Sequence, residues 1–155
     1  MEETKVYQDQ FIVIFTDGSP GVRLIIQALL RKGYILETYL LESDCGPLFR
    51  ARIPDFILVD ASTNSAKAIQ TVERVHGALK DAADRLIVFF PTAGYVPQWA
   101  RDLQPRIFTF MTALIEARAE EEAVHFFHMM RKFQNERFAD RRSTDLTEDA
   151  DRSCP

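Results

Sequence analysis

Ile53-Pro54-Asp55-Phe56-Ile57-Leu58-Val59-Asp60-Ala61-Ser62 opens on a turn residue, runs through an apolar strand and stops on a carboxyl group. Phe56 to Val59 is short and apolar without interruption, the pattern of a strand buried on both faces. Open parallel α/β sheets hold ligands or reacting groups just beyond the carboxyl ends of such strands. Asp60 stands at that place, so its neighbours determine whether it can do chemistry.

Upstream, Phe11-Ile12-Val13-Ile14-Phe15 is β-branched and aromatic and predicts a first strand. Thr16-Asp17-Gly18-Ser19-Pro20-Gly21 is a turn in which Ser19 or Asp17 can cap the following helix and Pro20 suits its first turn. Val22, Ile25, Ile26, Leu29 and Leu30 then recur at helical spacing, predicting a helix over Pro20–Lys32 closed by Gly33. Tyr34–Leu41 predicts a second strand, and Ser43–Ala51 a short helix or turn that leads into Pro54.

Downstream, Ala68, Ile69, Val72, Val75 and Leu79 share one side of a helix over Ser65–Leu79. Arg85–Phe90 predicts the fourth strand, ended by Pro91-Thr92-Ala93-Gly94. A short helical turn is expected around Trp99, within Val96–Leu103. Arg106–Phe110 predicts the fifth strand, and Thr112 is placed to cap a long last helix over Ala113–Phe138. The alternation of strands and helices implies a parallel sheet covered on both faces. The fold class expected is therefore α/β, a flavodoxin-like doubly wound five-stranded parallel sheet of order 2-1-3-4-5. In that order strands 1 and 3 are neighbours, so Asp17 and Asp60 are expected to face each other across one crevice.

The chain has 155 residues, 46% of them hydrophobic and 27% charged, an ordinary globular balance with length for one core. Its net charge of −4 argues against a nucleic-acid partner. No apolar run reaches the roughly 18–20 residues of a membrane span, and the polar, acidic start is not a signal peptide. Two cysteines, Cys45 and Cys154, without metal-site spacing fit a reducing, cytoplasmic setting. Residues 1–9 are expected as an N-terminal extension, 10–135 as the domain and 136–155 as a disordered tail or linker, since the end is polar and carries both signs of charge.

Asp17 after the first strand, the Val22–Lys32 helix closed by Gly33-Tyr34, the Pro54–Asp60 run and Thr92-Ala93 after the fourth strand together resemble a response-regulator receiver domain over about residues 10–130. The resemblance implies that Asp60 is the phosphoacceptor, that Asp17 with Asp60 holds Mg²⁺, that Thr92 is the switch hydroxyl and that Ala93 leaves room for phosphate. Two departures stand out. Thr16 occupies the place of the first of the family's paired acids. Thr109-Phe110-Met111 occupies the place of the family's lysine, which pairs with the phosphoryl group. The resemblance with these departures implies a pseudo-receiver: a non-catalytic regulatory module for protein interaction, with no cofactor unless the site is active and binds Mg²⁺. The alternative is a Mg²⁺-dependent receiver phosphorylated on Asp60. A fainter likeness, through Gln8-Asp9-Gln10, Val13–Thr16 and the strand ending at Asp60, is to the receiver-like segment that precedes a PAS domain in one type of cAMP phosphodiesterase.

Each candidate also has a plainer role. Asp60 can cap the loop that follows it by accepting from N–H groups near Ser62–Asn64. Asp17 can be a turn residue, and Pro-Thr-Ala-Gly an ordinary turn. His125 and His128 share a helix face, but a zinc pair lacks a third ligand. Val124, Phe127, Met130 and Phe133 form a long apolar stripe, so Phe127, Met130 and Phe133 are the expected interaction surface, for a protein partner, other domains of a larger protein, or a second copy in a homodimer. The start of this stripe can instead be core. Thr16–Pro20 is also similar to the first-strand loop of universal stress proteins. Nucleotide binding by that route needs a later glycine-rich loop, and Gly94 is the only glycine after Gly77.

Overall fold

The computed structural model describes residues 10–153, with side chains described for residues 10–141. The expected extension 1–9 and Cys154 lie outside these. Five parallel strands form one sheet of order β2-β1-β3-β4-β5. They are β1 (Phe11–Phe15), β2 (Ile35–Tyr39), β3 (Phe56–Asp60), β4 (Leu86–Phe90) and β5 (Thr109–Thr112). The helices between them are α1 (Pro20–Arg31), α2 (Cys45–Ala51), α3 (Ser65–Ala78) and the five-residue α4 (Gln98–Asp102); α5 (Ala119–Ser153) follows β5. The expected flavodoxin-like doubly wound order is the one observed.

β1, β3 and β4 are buried at every position, which explains their unbroken apolar composition. Alternation divides their side chains between the two faces. Phe11, Val13, Phe15, Ile57, Val59, Leu86, Val88 and Phe90 share a core with Phe49 of α2 and Ala68, Val72 and Val75 of α3. The other set, Ile12, Ile14, Phe56, Leu58, Ile87 and Phe89, is as fully enclosed. α1 reaches this second face closely. A Cβ added at Gly21 would lie 2.8 Å from Cζ of the buried Phe89, so the helix start fits the sheet because residue 21 lacks a side chain.

Local signals set the α1 boundaries. The Ser19 hydroxyl accepts from Val22 N–H, Pro20 takes the first helical position, and Gly33 leaves the helix with φ +88°. Asp55 pins the amino end of the sheet, its Oδ2 accepting from Phe11 N–H at 2.8 Å.

The carboxyl third departs from expectation. β5 runs Thr109–Thr112, not Arg106–Phe110, because Gln104–Arg106 is a 3₁₀ turn and Met111 pairs with Phe89. Thr112 is thus the last strand residue and not a helix cap. A 3₁₀ turn at Glu116–Arg118 precedes α5, and Glu122 reaches back to accept from Ile115 N–H at 3.2 Å.

The chain divides into two units, the first ending at Val124 and the second beginning at His125. The sheet belongs to the first. The second is the continuation of α5, which runs on to Ser153, although 136–155 was expected as a disordered tail or linker. No glycine or proline interrupts the sequence between Pro105 and Pro155 to stop it. Within this unit Phe127 and Gln134 are fully buried, and Arg131 donates to Gln134. Phe127 is therefore core, which corrects its place on the expected interaction surface. It falls on the same side of the helix as the buried Ala123 and Gln134. Of that surface, Phe133 is 46% exposed and Met130 is half-buried.

Candidate functional site at the carboxyl ends of β1 and β3

β1 and β3 are hydrogen-bonded neighbours, with Phe15 opposite Val59. The next residue of each strand, Thr16 and Asp60, then lies opposite the other and on the same face. Asp60 has no exposed surface. Its Oδ2 accepts from the Thr16 hydroxyl at 2.6 Å and from the Ser19 hydroxyl at 2.7 Å. Its Oδ1 accepts from Ser62 N–H at 3.0 Å. Both hydroxyls are held from behind: Thr16 Oγ1 accepts from Gly18 N–H at 2.9 Å, and Ser19 Oγ from Val22 N–H at 3.4 Å. The carboxyl group is thus the centre of a closed network joining β1, the start of α1 and the loop after β3. Buried groups satisfied in this way are rigid, and each is costly to strip of its partner.

The two expected acids differ in burial, Asp60 being enclosed and Asp17 exposed. The Asp17 Oδ2 accepts from the Thr63 hydroxyl of the loop after β3 at 3.4 Å, not from the donors that hold Asp60. The alternation of β1 is the reason: Thr16, not Asp17, follows Ile12 and Ile14 onto the face of Asp60. That signal was present in the sequence. Counting by twos from Ile14 and from Leu58 brings Thr16 and Asp60 together.

Mg²⁺ requires hard oxygen ligands in near-octahedral arrangement. Three donors already engage Asp60, two on Oδ2 and one on Oδ1, and the group is fully enclosed. Among the described residues no three of His, Cys, Asp and Glu form a group able to hold a metal ion. The residues as arranged do not fit the ion.

The β4 end is built differently. Thr92 and Ala93 are exposed. Thr92 C=O accepts from Tyr95 N–H at 3.2 Å, with Gly94 at φ +70°, a tight turn that needs glycine at its third position. Gly94 N–H donates to the Thr112 hydroxyl at 3.2 Å. Thr112 ends β5, so the residue beside this turn is a neutral hydroxyl. Trp99 lies against Phe90, ring centroids 5.6 Å apart, edge to face. His125 and His128 are both exposed on the second unit.

No family model and no curated protein matches the chain. Solved structures are similar to it. The N-terminal domain of a response regulator receiver protein from Methanoculleus marisnigri JR1 superposes with a TM-score of 0.51 at 23% identity, covering 75% of this chain and 94% of that one. The response regulator StyR gives 0.54 at 20% identity, covering 94% and 71%. A fusion carrying the yeast Spc42 trimeric coiled coil gives 0.62 at 18% identity, covering 94% of each chain. None of these likenesses supports the phosphodiesterase resemblance. They are likenesses of architecture, and the fold of this chain is that of a response-regulator receiver domain.

Proposed function

We propose that this domain is a signalling module of the pseudo-receiver kind, non-catalytic, working through protein–protein contact and not through phosphorylation. One observation carries the reading. The carboxyl group that would accept phosphoryl is fully buried and already bonded by Thr16, Ser19 and Ser62. A phosphoryl group must approach one carboxyl oxygen in line and then find positive charge around it. Here Oδ2 accepts from two hydroxyls and Oδ1 from Ser62 N–H, the whole group is enclosed, and Thr109-Phe110-Met111, at the lysine's place, carries no charge. The fold shared with receiver domains supports a regulatory role, and the coiled-coil fusion among the similar structures is in keeping with assembly alongside other domains or a second copy. The partner is a protein or another domain, and the setting cytoplasmic. No described helix is long and apolar enough to cross a membrane.

The test is titration with Mg²⁺ and beryllofluoride, which stands in for an aspartyl-phosphate, followed by Trp99 fluorescence and by amide NMR. No saturable response is expected, from this chain or from Asp60→Asn. A Mg²⁺-dependent response that disappears in Asp60→Asn would instead establish a phosphoacceptor receiver with Asp60 and Asp17 at the metal.

A further inference from the structure

A hollow of about 380 Å³ lies at the carboxyl ends of β1 and β2, lined by Thr16, Asp17, Gly18, Ile26, Tyr39 and Leu40, with Thr38 at its rim. Its apolar lining is Ile26, Tyr39 and Leu40. Ile26 and Tyr39 are half-buried, and Leu40 is 69% exposed. Its lining carries one carboxylate, Asp17, and no cation. Among the described residues Asp17 has no ion pair and a single contact, the Thr63 hydroxyl. Glu37 adds a second acid at the edge strand, accepting from the Tyr39 hydroxyl at 2.6 Å. The Arg23 guanidinium lies against Gly18 and is not itself among the lining residues.

Leu40 is not simply stranded in a loose loop. Its carbonyl accepts from both Ser43 N–H at 3.2 Å and the Ser43 hydroxyl at 2.6 Å. Glu42, between them, sits at φ +68°, a conformation L-residues adopt only when the surroundings impose it. Here the Thr71 hydroxyl accepts from Glu42 N–H at 2.9 Å and Arg74 donates to its carbonyl. These bonds hold the turn in which Leu41 is buried and Leu40 faces outward.

We infer that this hollow receives a protein segment in which an apolar side chain stands next to a lysine or arginine, the apolar group on Ile26, Tyr39 and Leu40 and the cation on Asp17. This rests on the protein-contact reading above and names its surface. Thr16 and Gly18 line the hollow and also belong to the Asp60 network, so an occupant would touch that network directly.

The probes are acetyl-Leu-Lys-Leu-amide, with the glutamine and glutamate versions as comparisons, titrated into the full ¹⁵N-labelled chain. Saturable shifts are expected at Asp17, Gly18, Tyr39 and Leu40. The lysine peptide should bind about two- to fivefold tighter than the glutamine one, the size of one exposed charge pair, with glutamate weakest. Asp17→Asn should erase that preference, and Leu40→Ser should weaken all three peptides by about tenfold. Both positions are exposed, so neither substitution threatens the fold. Absent or scattered shifts, or a lysine preference that survives Asp17→Asn, would overturn the inference. If the peptides fail while beryllofluoride stays silent, only this surface is lost; a beryllofluoride response removes the pseudo-receiver reading whatever the peptides do.

Discussion

The two halves of the sheet's carboxyl edge are made from the same kinds of residue and differ in enclosure. Between β1 and β3, Asp60, Thr16 and Ser19 are buried and mutually bonded. After β4, Thr92 and Ala93 are exposed in a turn whose backbone bond and glycine account for its shape. In a switching receiver a change at the first place must be felt at the second. Here the first is held shut by internal hydroxyls, and the second is a turn that would exist without it. Equivalent positions in one topology can thus hold structural roles at both ends, and topology alone does not confer the chemistry.

The largest effect should come from breaking the enclosed half. Asp60→Ala leaves two buried hydroxyls without their acceptor and should cost about 3 kcal/mol in urea unfolding. Asp60→Asn keeps an accepting oxygen and should cost markedly less. A loss under about 1 kcal/mol for Asp60→Ala would show that this end is not held by these bonds.

A second test lies in the enclosed core at Cys45, the first residue of α2. Cys45 is 1% exposed, and burial, helped by Asp44 and opposed by Arg74, pushes its thiol from 9.0 up to about 11. The unfolded thiol ionises near the lower value, so the stability it protects is intact below pH 9 and is lost as pH rises toward 11. The loss should reach roughly 2 kcal/mol. It appears as a difference in unfolding between the wild type and Cys45→Ala across that window. Parallel pH curves for the two proteins would mean that the thiol is not so protected.

The exposed half should yield less. Gly94→Ala meets open space and only the positive φ resists it, so about 1 kcal/mol is expected. Thr92→Ala should stay within about 0.5 kcal/mol and leave Trp99 emission unchanged. A larger Thr92 effect would make that hydroxyl more than a turn residue and bring the two halves closer in character.

Much of the fold was legible because burial on both faces writes itself into β1, β3 and β4 as unbroken apolar runs, and because Ser19, Pro20 and Gly33 mark the ends of α1 by local chemistry. The last third was less legible. Arg106-Ile107-Phe108 has strand composition, yet Pro105 and the pairing of Met111 with Phe89 moved the strand forward by three residues. Phe127 and Phe133 belong to one apolar stripe in sequence, and only packing distinguished the buried ring from the exposed one.

The sequence by itself determined the alternation of strands and helices, the place of Asp60 at the carboxyl end of β3 and the absence of a second acid at Thr16, because each depends on local composition or on spacing along one chain. The tertiary structure alone decided what Asp60 touches. Its three donors come from residues 16, 19 and 62, brought together by the pairing of β1 with β3. The direction of a side chain at a strand end is set by register and by the neighbour across the sheet, and in this chain that turned Asp17 outward and Thr16 inward.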